Sequence, residues 1–185
     1  LAMLQPPRSG LTPLSDDAFK LSRWSTTETL VTLDKLGEAQ PALATKWQQT
    51  GNNSWRFELR HGVRFHDGSL LDAATVVNAL TVAAHAAPKP RILDGVQLTA
   101  VADGEQAVRV TTAQPDPLLP QRLSSPQLAI LSQKAYRPGG VVDPRHAGSG
   151  PFELVQVNGT SNARLERFGG YWGEKAKASG IDVSF

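Results

Sequence analysis

The 185-residue chain contains no cysteine, which excludes a disulfide framework, thiolate metal sites and a cysteine nucleophile. It also has no apolar run approaching the roughly 20 residues needed to span a bilayer. No block of one charge sign stands out. The 19 basic and 17 acidic residues are interspersed, and a net charge of +2 spread this way offers no polyanion-binding face, so no nucleic-acid partner is expected. The first residues, LAMLQPPRSG, lack the basic end and apolar core of a signal peptide. They read as mature or trimmed sequence from which any export signal has gone.

What is present is globular. Hydrophobic residues make up 40% and charged residues 19%, enough over this length for one domain with a real core, or for one lobe of something larger. Ser15 followed by Asp16 and Asp17 looks like a helix start, and the apolar residues from Ala18 to Val31 extend the predicted helix over 16–31. Gly37 and Pro41 then break regular structure. Between Lys46 and Phe65, Trp55, Phe57 and Leu59 alternate with Arg56, Glu58 and Arg60 after a Gly51-Asn52-Asn53 turn, which predicts a half-buried hairpin. Asp72 is placed to cap a helix whose Ala73, Val76, Val77, Leu80 and Ala84 share one face, and Pro88 and Pro90 end it.

A second hairpin turns at Asp103–Gly104, followed by a short helix or turn in LLPQRL and a buried strand in QLAIL. The 137–150 segment is loop. PFELVQV and ARLERF flank a turn at Asn158–Gly159, and IDVSF closes the chain as a strand. The order is that of an α/β (mixed α+β) domain, with hairpins and flanking helices about a mixed sheet.

Three motifs invite chemistry. His66–Asp67 lacks a second histidine or carboxylate at metal-ligand spacing, and Asp-Gly is a strong turn pair, so a structural turn is the expectation. GSGPF, from Gly148 to Phe152, lacks the Lys-Ser/Thr of a phosphate loop and the pattern of a nucleophile elbow, which leaves a tight backbone crossing. Tyr171–Trp172 in GGYWGE reads as a plug over the sheet in preference to a stacking platform.

Taken together, ETLVTLDKLGEAQPALATKWQQTGNNSWRFELRHGVRFHDGSLLDAATVVNAL, GSGPFELV, LERFGGYWGEKAK and IDVSF resemble extracellular solute-binding proteins of family 5, the dipeptide, oligopeptide and nickel receptors of ABC importers. Glu28, Pro41, Leu43, Ala44, Trp47 and the Leu59–Gly68 block fall on the family pattern, with Ser149 and Phe168-Gly169 as mild departures. The resemblance, over about residues 12–185, implies the first lobe of a type II periplasmic-binding-protein-like fold. The whole of 1–185 would be a partial N-terminal lobe, with the second lobe and a returning C-terminal segment lying beyond it.

It further implies a monomeric, non-enzymatic receptor, periplasmic or extracellular, with a lipoprotein anchor as one form. Such a receptor closes on a peptide or related small molecule, delivers it to membrane permease subunits, and needs no cofactor or metal. A ligand-sensing domain of a transcription regulator and a receptor for a nickel chelate are the alternatives. The resemblance places Phe19, Lys20, Trp24, Arg91, Ile92, Ser124, Ser125 and Gln127 at the ligand face. On periodicity alone Phe19 and Trp24 fit the core equally well, while Lys20 and Arg91 read either as solvated surface or as a carboxylate clamp.

Overall fold

The computed structural model describes residues 1–185. The chain enters through a loop into α1 (Ala18–Arg23), then β1 (Val31–Leu33), β2 (Ala39–Pro41), β3 (Ala44–Gly51) and β4 (Ser54–Leu59). Helix α2 (Ala73–His85), β5 (Leu98–Ala102), β6 (Ala107–Thr112) and α3 (Leu119–Arg122) follow, then β7 (Phe152–Asn158), β8 (Asn162–Arg167) and β9 (Gly180–Ser184). The strands form three antiparallel sheets: β1-β2, β3-β4-β6-β5 and β7-β8-β9. The α/β architecture stands, but the expected mixing of strand directions reduces to a single parallel bridge between Ala2 and Ser184.

Helix α2 packs on β5 and β6. Its buried residues are Ala73, Thr75, Val76, Ala79, Leu80 and Ala83, so the expected face is rotated slightly: Val77 and Ala84 are only partly buried, and Ala79 and Ala83 take inner positions. Asp72 caps it, with Oδ1 accepting the Thr75 N–H at 2.8 Å. Beneath lie Phe57, Leu59, Phe65, Val108 and Val110 in the larger core. A smaller core lies under β7-β8-β9, where Trp24, Leu11 and Leu21 meet Leu154, Leu165 and Val183.

Two sequence expectations are corrected. The first helix does not run over 16–31. It stops at Arg23, with Ser25 at φ +53°, and the β-branched Thr26, Thr27 and Thr29 that follow lie outside any helix, ahead of a bend at Leu30 and then β1. Ser15 contributes by accepting the Asp17 N–H. QLAIL is not a strand of a sheet either. Pro126 opens a 3₁₀ turn over Pro126–Leu128, and only Ile130 pairs, through a single bridge to Glu28.

Candidate functional site

A hollow of about 570 Å3 lies where α1, the 27–33 segment, Ile92 and the 121–126 turn converge. Apart from the Glu28 carboxylate, its lining carries no charged group. Ser22, Thr27, Thr29, Thr32, Ser124 and Ser125 bring hydroxyls, Gln121 an amide, and Phe19, Leu33 and Ile92 apolar surface. Phe19 is half exposed even though its helix is amphipathic.

The position of Ile92 is set by its backbone. The Gln127 amide oxygen accepts its N–H at 3.2 Å, and Arg122, itself ion-paired to Asp116 at 2.7 Å, donates to its carbonyl at 2.6 Å. Gln127 is buried, so it supports the hollow from behind and does not line it.

Lys20 and Arg91, read from the sequence either as solvated surface or as a carboxylate clamp, each have an acidic partner within the chain. Lys20 donates to Asp17 at 3.2 Å. That carboxylate is buried and also accepts the N–H groups of Arg8, Ser9 and Leu11 and the Ser9 hydroxyl. Burial pushes the Asp17 carboxyl up, but the Ser9 and Arg8 backbone donors, with the Ser9 hydroxyl and Lys20, outweigh it and hold it below the usual value. Arg91 points to solvent and pairs with Asp16 at 2.6 Å. Trp24 is wholly buried against Phe185, its indole N–H on the Met3 sulfur, because the face of α1 that carries Leu21 turns to the smaller core. Of the eight residues expected at a ligand face, Phe19, Ile92, Ser124 and Ser125 therefore line the hollow. Lys20, Arg91 and Gln127 engage partners at or behind its rim, and Trp24 belongs to the core.

One residue on the floor of the hollow passed unremarked in the sequence beyond its place in the family pattern. The Glu28 side chain is largely buried, and its carboxylate ties three distant segments together. Oε1 accepts the Ser149 hydroxyl at 2.8 Å and the Trp172 indole N–H at 2.9 Å, and Oε2 accepts the Tyr171 hydroxyl at 3.1 Å. The Arg60 guanidinium stacks 4.1 Å above the Trp172 ring and donates through Nε to the Ala42 carbonyl. Burial pushes the Glu28 carboxyl above its usual value, against the pull of the Trp172, Ser149 and Tyr171 donors and of the Arg60 charge. Burial and the neighbouring Glu28 carboxylate in turn push the Tyr171 hydroxyl up. Tyr171–Trp172 is thus a polar lock as well as a plug.

His66 and GSGPF complete this junction. A Cβ on Gly148 or Gly150 would collide with the Thr26 or Ser25 carbonyl, so only glycine permits this backbone crossing. Since the Gly150 carbonyl can only accept, His66 Nε2 donates to it at 2.8 Å, leaving Nδ1 buried without a partner. Burial holds the His66 imidazole below its usual pKa, against the pull of that carbonyl. Gly68, at φ +86°, makes the turn, and Asp67 Oδ1 accepts the Ser69 N–H. His66 is therefore a buried bridge between two segments, more than a turn residue.

This fold has relatives. The family model of bacterial extracellular solute-binding proteins, family 5 (middle), matches residues 38–185. The chain belongs to that family. NikA from Brucella suis, solved in complex with Fe(III)-EDTA, superposes on all of the chain with TM-score 0.86 at 26% identity, over 39% of its own length. YhjP of Bacillus subtilis is 33% identical over 132 residues, 70% of this chain and 22% of that protein. The transcriptional regulator SgrR of Yersinia enterocolitica is 30% identical over 149 residues, 80% of this chain and 25% of that protein. The chain thus spans about a quarter of the length of these curated relatives and about two-fifths of the solved one.

Proposed function

We propose that this family 5 chain is the N-terminal lobe of the solute receptor of an ABC importer, and that the hollow is its share of an interlobe ligand site. A peptide is the ligand this reading favours. The observation that carries it is the convergence of Phe19, Ile92, Ser124 and Ser125, drawn from three separate segments, on one open concavity whose hydrogen-bonding groups are neutral apart from Glu28. A single lobe covers only one side of a ligand, so tight capture requires closure against a second lobe. The closed form is what permease subunits would recognise, by a shift of population and without covalent chemistry. The receptor would work as a monomer outside the cytoplasmic membrane, whether free or lipid-anchored.

A second reading, a ligand-sensing domain of a transcription regulator, is favoured by the likeness to SgrR. It predicts a DNA-binding domain encoded ahead of this chain. The test for the receptor reading is peptide uptake in the host after deletion of the gene. Loss of uptake, restored by complementation, supports it, and unchanged uptake overturns it.

A further inference from the structure

We propose that His66 is an acid-sensitive latch: while its ring is neutral it holds the two packing units together, and a second ring proton opens the glycine crossing. The latch is independent of the receptor reading and of what the hollow binds.

The ring sits where the two units meet. Its turn lies between β4 and α2, flanked by Phe65 and Leu71 of the larger core. Across the seam, the 148–152 segment leads into β7 and the smaller core. His66 holds that segment twice, its backbone N–H donating to the Gly148 carbonyl at 2.8 Å and its Nε2 to the Gly150 carbonyl. Gly150 in turn donates its N–H to the Thr26 carbonyl at 3.2 Å. Phe168, just past β8, covers the ring edge-on.

This setting suits only the neutral ring. Nε2 already carries the proton it donates to Gly150, so the next proton must go to Nδ1. Nδ1 is buried and has no hydrogen-bond partner. An imidazolium there has lost hydration and gains no bond in return. Nor do the surrounding charges supply a free counter-ion. Asp67, on the same turn, is engaged by the Ser69 N–H and hydroxyl and has Lys134 nearby. Glu153, beyond the crossing, pairs with His146, whose charge opposes a second cation. Glu28 is reached only through Ser149 and is occupied by that hydroxyl, Tyr171 and Trp172. The groups in direct contact, Thr26 beside the crossing and Phe168, are uncharged. Burial therefore prevails over the Gly150 carbonyl, Glu153 and Asp67 and holds the ring below its ordinary value. With the folded value below 6.5, the stabilising contribution is fully present above 6.5 and is lost as pH falls from there through the folded value. That window opens well above the one in which Asp17, with an ordinary value of 3.8, is protonated.

The test is amide hydrogen exchange on the full chain at pH 7 and pH 5, corrected for intrinsic rates, in the parent and in His66→Gln. The glutamine amide still offers Gly150 a donor but does not titrate. In the parent, protection of the Gly150 amide should fall at least about fivefold more than that of Leu80 in α2, and in His66→Gln it should agree between the two pH values within about twofold. Imidazole nitrogen shifts of the parent decide the matter if the variant does not fold: His66 should carry its neutral proton on Nε2 and titrate below 6.5. Titration at or above 6.5, equal Gly150 protection at both pH values, a loss shared equally by Leu80, or the same loss in His66→Gln would each overturn the latch.

Discussion

Replacing Glu28 probes the junction where the hollow's floor meets both packing units. Glu28→Ala removes the acceptor of three donors at once. The Ser149 hydroxyl is fully buried, so losing its partner costs about 1–3 kcal/mol. Trp172 and Tyr171 are half-buried, so water replaces part of what they lose, and about 0.5–1.5 kcal/mol each is expected. The sum, about 2–6 kcal/mol, is in the range for breaking a buried charged network from one side. Glu28→Gln is a sharper probe. An amide oxygen at the Oε1 position still accepts from Ser149 and Trp172, and the amide nitrogen can donate to the Tyr171 oxygen if that hydroxyl rotates. Its cost should be about 1 kcal/mol. Urea unfolding followed by far-UV circular dichroism reads both variants. If Glu28→Ala is no less stable than Glu28→Gln, or if both lie within about 0.5 kcal/mol of the parent, the junction is not held by this carboxylate.

Three further outcomes follow from the same geometry. Gly150→Ala would place a Cβ 2.8 Å from the Ser25 carbonyl carbon and force the backbone apart, costing about 3 kcal/mol or more, whereas Gly169→Ala, with open space around it, should change the unfolding midpoint little. His66→Ala loses the Gly150 bond and an edge contact to Phe168 at 4.7 Å, costing about 2–4 kcal/mol by urea titration while leaving peptide affinity of the intact receptor within about threefold; lost binding with stability unchanged would refute a purely structural role. Because Glu28 has a raised carboxyl, its contribution to stability is fully present below the ordinary value of 4.5 and falls as pH rises through the raised one. The depressed Asp17 works in the opposite direction, losing its contribution as pH falls through its folded value, so Glu28→Gln and Asp17→Asn should flatten opposite limbs of the stability–pH curve.

Much of the fold was legible because local chemistry and tertiary placement agree. The Asp72 cap, the α2 stripe, the alternation through β4 and the Asp103–Gly104 turn are all written in short windows of sequence. Helix α1 was overextended because its apolar spacing continues past Trp24, while the left-handed Ser25 that ends it carries no glycine to announce it. QLAIL has a strand's composition but meets a neighbour at only one residue, which composition does not encode.

The site was legible in part. The family pattern pointed to Phe19, Ile92, Ser124 and Ser125, but single residues did not reveal that Lys20 and Arg91 carry their own counter-ions nearby. Glu28, Ser149 and Tyr171–Trp172 each stood in a quoted motif, yet their union spans 121 to 144 residues of sequence. The signal that could have joined them was a glutamate placed ahead of β1 among threonines, an acid with no adjacent base to explain it.

The most direct test of the central claim is native mass spectrometry of the full-length receptor purified from its host, parent beside Ser125→Trp. The bulky side chain fills the hollow from a half-buried position on its wall. The account predicts a peptide adduct on the parent that is lost from the variant while its circular dichroism is retained. Equal peptide occupancy in both proteins, or a metal chelate in place of a peptide on the parent, would contradict it.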